Sequence, residues 1–251
     1  MTTTTLKKPA ARKLAPAAKS GATAAAKGAG KARATRARAG AAPGAHAIED
    51  IRDAVTRLKR ERIIATAVEL FHGQGLTNTT LEAVAERMNV TKPFIYSHFK
   101  SKNDLLAEIC SRGIRASLDV LDRAVASPGD ATGKLQNFAR DFMLAVLANQ
   151  GHIAIYNREE KQLSEADSKA IADMRREFDR KLRAMLEEGV ASGEFVIDDV
   201  QIASLAIGGI VSWSYVWYRP QGRLSPEQTA EHVASLILAM VQANPARRKR
   251  V

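Results

Sequence analysis

Residues 79–102 read TTLEAVAERMNVTKPFIYSHFKSK, and this stretch decides the fold. Leu81, Val84, Ala85 and Met88 recur at helical spacing, which predicts a short helix with one buried face. Thr79-x-x-Glu82 predicts its capping box, with Thr79 as the cap and Thr80 as the first helical residue. Asn89-Val90 is the turn, Val90 serving as an apolar plug. Thr91 is then placed to cap a second helix, Lys92 to Phe99, with Pro93 in the first turn, where a missing N–H costs nothing. Ile95 and Phe99, four apart, face inward and leave Lys92, Phe94, Tyr96, Ser97 and His98 on the outer and flanking faces. Ser101-x-x-Asp104 starts a third helix, with Lys102 beside its first turn. Two short capped helices about a tight turn, the second with a polar outer face, are the grammar of a helix-turn-helix. Its second helix is the one offered to the DNA major groove.

Upstream, residues 49–72 lack Pro and Gly and carry Ile51, Val55, Leu58, Ile63, Ile64, Ala67, Val68 and Phe71 at helical intervals. The Gly73-Gln74-Gly75 that follows predicts the end of this helix. Arg57, Lys59, Arg60 and Arg62 read equally well as a solvated face or as phosphate contacts beside the groove. The stretch from Arg60 to Leu106 resembles the DNA-binding domain of TetR-family transcriptional regulators. The likeness is carried by RERIIATAVELF, the Gly-x-Gly before a Thr-rich cap, LEAVAERMNV and, above all, IYSHFKSKNDL. The resemblance implies that Tyr96 and Lys102 hold phosphates and that Thr91, Lys92, Pro93, Phe94, Ser97 and His98 face the groove, with Thr80 a further DNA contact. Phe94 stands where Thr or Ser is common in the family. Chemically, Lys92 suits a guanine edge, Pro93 or Phe94 a thymine methyl, and Ser97 or His98 either a base or a phosphate.

Charge is unevenly placed. Residues 1–48 hold ten Lys or Arg and no acid, which leaves the rest of the chain near neutral although the whole carries +11. This Ala/Lys/Arg-rich segment has too little apolar surface to offset its ordering entropy, so it is expected to be disordered. Both a solvated extension and a nonspecific phosphate-binding tail fit it. The lone Cys110 fits a reducing cytoplasm, and neither zinc spacing nor any other metal cluster is present in the sequence. Ile202 to Trp217, the most apolar run, is shorter than the ~20 residues of a membrane span and reads as a buried interface helix. No apolar signal-peptide core is seen near the N-terminus, so a cytoplasmic, nucleoid-associated protein without membrane contact is expected.

The whole chain predicts an all-α fold. It comprises the tail (1–48), a helix-turn-helix domain (49–105, motif 80–99), a helical effector and dimerisation domain (106–244) and a short basic tail (245–251). Helices are expected from Lys102 to about Ala126, Gly133 to Asn149, Ser164 to Ser192, Asp198 to Tyr218 and Ser225 to Gln242. Gly151 is expected to break the Gly133–Asn149 helix, and Gly208-Gly209 to disturb the 198–218 helix. Small residues and apolar faces on 198–218 and 225–242 suit a two-fold helical interface, and the resemblance implies a homodimer through them. The segments NREEKQLS and IVSWSYVWYRPQGRLSPEQTAEHV resemble a TetR subgroup responding to CoA thioesters from fatty-acid or sterol breakdown. In that case Arg158 is a candidate for a CoA phosphate, and Phe138, Phe142, Trp213 and Trp217 for lining an acyl tunnel; a core or dimer role fits the same aromatics. No catalytic constellation, phosphate loop or dinucleotide fingerprint appears, so no enzyme and no cofactor is expected. The expected function is a dimeric repressor released from a palindromic DNA operator by a small-molecule effector. The alternative is a nonspecific architectural DNA-binding protein that uses the basic tail.

Overall fold

The computed structural model describes residues 43–241, and among these every regular element is helical. The expectations for most of the 1–48 tail and for 245–251 therefore concern residues outside that range. Helix α1 (Pro43–Gln74) begins six residues before the helix expected from 49, so the tail's last residues are helical. Gly75, at φ 82°, turns the chain out of it. Helix α2 (Leu81–Met88) is capped by Thr80, not Thr79: the Thr80 hydroxyl accepts from the Ala83 N–H. Thr79 is instead fully buried, and its Oγ1 donates to the Gly75 carbonyl at 2.9 Å to close the preceding turn. That inward pull moves the cap by one residue. Asn89, at φ 54° and ψ 45°, takes the left-handed conformation that ends α2.

Helix α3 (Lys92–Tyr96) is shorter than expected, and residues 97–99 follow as a turn closed by the His98 and Phe99 amides on the Ile95 carbonyl. Thr91 occupies the cap position, but its side chain makes no capping hydrogen bond. Helix α4 (Lys102–Ala126) starts where predicted, its Asp104 N–H donating to Ser101 Oγ at 3.0 Å. Helix α5 (Ala131–Ala148) begins two residues before the expected Gly133 because Asp130 caps it, with Glu194 accepting from the Ala131 and Thr132 amides. These two amides hold the Glu194 carboxyl down at about 2. Helix α5 does end where expected, but the break falls at Asn149 and not at Gly151, which lies inside α6 (Gln150–Glu159); a 3-10 turn, Glu160–Gln162, follows.

Helix α7 (Glu165–Ala191) passes through Gly189 and stops before Gly193. The apolar run from 200 to 217 is two helices, α8 (Val200–Ser212) and α9 (Ser214–Trp217), interrupted at Trp213 rather than at Gly208-Gly209. By length and composition Val200–Trp217 passes as a membrane span, with mean hydropathy 1.3. Its Ser204, Ile207, Val211 and Ser214 are nonetheless buried in the helical body, while Ile202, Leu205, Trp213 and Trp217 are exposed. Helix α10 (Pro226–Val241) opens with a full capping box between Ser225 and Gln228.

Two cores result. One gathers α1, α2, α3 and the start of α4 around Ile63, Phe71, Ile95 and Phe99, and it also takes Ile155 from α6 and Ile171 from α7. The other lies among α4, α5, α7, α8 and α10, around Phe138, Phe142, Leu182 and Ile237. Ile114 and Met174 pack against both, so the head and the body are joined by apolar contact as well as by α4. The second core depends on Gly189, where a Cβ would lie 2.0 Å from the buried Phe195 ring. Gly189→Ala must expel that ring, so it should cost about 3 kcal/mol and lower Tm by several degrees in a thermal melt.

Candidate nucleic-acid interface and effector cavity

The polar face is built on two fully buried anchors, Ile95 and Phe99, which fix α3 and the turn after it on the head. Thr80, Thr91, Lys92, Pro93, Tyr96 and Ser97 are all exposed around them, and Phe94 and His98 are half-buried. The Tyr96 hydroxyl donates to Glu82 Oε1 at 3.1 Å, and Lys92 Nζ lies 4.0 Å from the same oxygen. Hydrogen bonding by its own backbone amide and by Tyr96 holds the Glu82 carboxyl below its ordinary range. Lys102 Nζ donates to the Leu76 carbonyl at 2.9 Å, tying the start of α4 to the α1–α2 turn. Ser97 Oγ donates to the Phe94 carbonyl at 2.7 Å.

Two basic residues of α1 join this face. Arg60 Nη1 donates to the His98 carbonyl at 2.7 Å, with its guanidinium carbon 4.3 Å from the Phe99 ring centre. Lys59 lies 5.8 Å from the Phe94 ring centre, and Phe94 meets the His98 ring edge-on at 5.2 Å. Burial, with Lys59 and Arg60 close by, keeps the His98 imidazole below its ordinary pKa. The face therefore offers cations, hydroxyls and one neutral imidazole on a rigid base. That arrangement can bind phosphates and read base edges.

The second site is a partly open cavity of about 400 Å³ among α4, α5, α6, α7, α8 and α9. Its apolar wall includes Ile114, Phe142, Val146, Ile153 and Phe178, and Trp213 stands at its α8 side. The size falls at the lower end of small-molecule pockets. Of the five residues expected to meet a ligand, Phe142 and Trp213 line this cavity. Phe138 is fully buried behind them, stacked on Phe142 at 5.3 Å, and belongs to the core. Trp217 lines a separate apolar groove between α8 and α10.

Arg158 lies in neither cavity. Its guanidinium donates to the Phe71 and His72 carbonyls at the end of α1, and Nε pairs with Glu159 at 2.8 Å. It thus caps a helix of the head from a helix of the body. Gly151 serves the same junction, since a Cβ there would stand 2.8 Å from Val68 of α1. On α4, a Cβ at Gly113 would stand 2.9 Å from Ile153, which lines the cavity. A third tie links Arg112 of α4 to Glu61 of α1 at 2.5 Å, with the half-buried His152 of α6 beside it; its partial burial and Arg112 lower the His152 pKa. Among the described residues no cluster of His, Cys, Asp or Glu is placed to hold a metal ion.

A family model described as bacterial regulatory proteins, tetR family, matches residues 63–109. A second, described as tetracyclin repressor-like, C-terminal domain, matches residues 128–241. The chain is 30% identical to the HTH-type transcriptional repressor KstR2 of Mycolicibacterium smegmatis over 186 residues, 72% of this chain and 89% of that one. It is also similar to the structure of PfmR, a TetR family transcriptional regulator from Thermus thermophilus. There the TM-score is 0.66 and the identity 26%, over 72% of this chain and all of that one. AibR, solved in complex with isovaleryl coenzyme A and operator DNA, shares the fold at a TM-score of 0.61 and 23% identity, over 71% of this chain and 97% of that one.

Proposed function

The chain belongs to the TetR family of bacterial regulatory proteins and is a DNA-binding transcriptional regulator rather than an enzyme; from that premise we propose that it is a cytoplasmic dimeric repressor, released from a palindromic operator by an acyl-CoA thioester. The observation that carries the ligand-responsive part is the position of α6. One side of this short helix gives Ile153 and Asn157 to the cavity wall. The other gives Ile155 to the head core and Arg158 to the end of α1. An occupant that displaces α6 therefore also displaces the helix carrying Lys59 and Arg60, which holds the recognition turn through His98. Binding energy at the cavity changes the operator only through such differential contact.

Operator contact in this reading is made by Thr91, Lys92, Pro93, Phe94, Ser97 and His98 in the groove and by Thr80, Tyr96 and Lys102 on phosphates. DNA takes Tyr96 and Lys92 from Glu82, whose carboxylate occupies them in the free protein. The second copy is received on the outer faces of α8 and α10, where Ile202, Leu205, Leu236 and Met240 are exposed. An acyl-CoA thioester is favoured because the cavity pairs apolar walls with a cation, and because AibR, of the same fold, was solved with isovaleryl coenzyme A. The test is a gel shift against genomic operator fragments with random DNA as competitor. Operator should be preferred by ~10³ or more, and a series of acyl-CoA thioesters should release it. Binding without that preference would favour the architectural alternative.

His98 supplies a pH prediction. In the free protein its pKa lies below 6.5, and phosphates beside it in the complex raise it. Binding then takes up a proton, so the added affinity is fully present below the free pKa and is lost as pH rises through the bound one. Operator affinity should tighten several-fold from pH 8 to pH 6 in fluorescence anisotropy, and His98→Asn should flatten the profile.

A further inference from the structure

Deepening the effector reading, we propose that Arg175 of α7, with Asn157 of α6, forms the seat for an anionic group on the effector, so that the cavity selects apolar molecules ending in a carboxylate or phosphate. Two charged side chains line the cavity, Asp179 and Arg175. Asp179 is already satisfied: Ser204 donates to one oxygen at 2.8 Å and Arg183 Nε to the other at 3.0 Å. Arg175 makes no ion pair among those of the described residues and rests on the Tyr156 ring, 4.4 Å from its centre. The ring holds the guanidinium in place without consuming its donors, which leaves its planar fork to an incoming oxyanion. The cavity thus carries one neutralised acid and one unneutralised base.

Arg175 is also exposed to solvent, and it lines a second, much smaller cavity with Tyr156 and Ile171, so it stands at a mouth between α6 and α7. Size argues the same way. A whole CoA thioester, with about 50 non-hydrogen atoms at interior packing density, needs on the order of 1,000 Å³. Only its acyl end fits within about 400 Å³, so the charged remainder must leave through an opening. A free fatty acid would place its carboxylate at the same guanidinium. Asn157 is the neighbour of Arg158, so an anion seated on Asn157 pulls at the residue that caps α1.

The experiment is calorimetric titration of the full chain and of Arg175→Gln with decanoyl-CoA, decanoate and decanol. The wild type should bind at least one charged probe tenfold or more above decanol. Arg175→Gln should lose that tenfold while its decanol affinity stays within about twofold, and Arg175→Lys should recover part of it. Decanoate binding alone would assign the seat to a carboxylate, decanoyl-CoA binding alone to a CoA phosphate; either supports the proposal. Charged probes that bind Arg175→Gln as well as wild type would overturn the seat and leave the acyl-effector reading intact. If none of the three probes binds wild type, the acyl-effector reading itself fails, and the seat with it.

Discussion

The double variant Ile202→Glu, Leu236→Glu should sediment as a monomer and bind operator at least ~100-fold more weakly than the parent, while its helical signal and melting curve stay close to native. In the single chain these side chains are 62% and 61% exposed, so neither contributes to the core. In a two-fold pair each would bury most of its surface, contributing about 1.5–3 kcal/mol per side chain. Glutamate there would instead bury an unpaired charge, which costs several kcal/mol. The loss reaches DNA through avidity: two linked heads on a palindrome gain roughly 10²–10⁴ over one. Neither residue lines the 400 Å³ cavity, so effector binding measured by calorimetry should survive. A variant that stays dimeric would move the interface away from α8 and α10.

Gly113→Val should act as a built-in effector. Its Cβ would press on Ile153 at 2.9 Å and force α4 and α6 apart at the cavity wall. Overpacking of this kind costs about 1–3 kcal/mol. A conformation with α6 displaced relieves that cost, so the population of the released state rises roughly 5- to 150-fold. Operator affinity without effector should fall by about tenfold or more, and added effector should do little further. The melting temperature should drop only slightly if the relaxed conformation is the effector-released one of the proposed mechanism. If the variant keeps native operator affinity and full response, α6 does not transmit the signal.

Much of this was legible in the residues, and the misses have local causes. Ser101-x-x-Asp104 and Ser225-x-x-Gln228 mark the starts of α4 and α10 because each serine oxygen accepts from the amide three residues on, a bond Ser225 keeps while its own hydroxyl donates to Glu227. Thr79 and Thr80 are adjacent, and only the carbonyl of Gly75 decides which of them turns inward. Gly151 suggests a helix break, yet it and Gly189 lie inside α6 and α7, each where a side chain from another helix or loop fills the space of a Cβ. Periodicity cannot show such a neighbour. Arg158 was singled out for its charge in a motif, yet its guanidinium is taken by two carbonyls of α1. Arg175 was missed inside a strongly charged helix. Its signal was its spacing, four residues after Ile171 and three before Phe178, beside the inward stripe of α7.

The most direct test of the central account is reciprocity. The affinity of an acyl-CoA effector should be measured calorimetrically for the free protein and for the protein saturated with operator. If cavity and reading head are coupled through α6, operator must weaken effector binding by the same factor by which effector weakens operator, about tenfold or more each way. Equal effector affinity in the two states would contradict it.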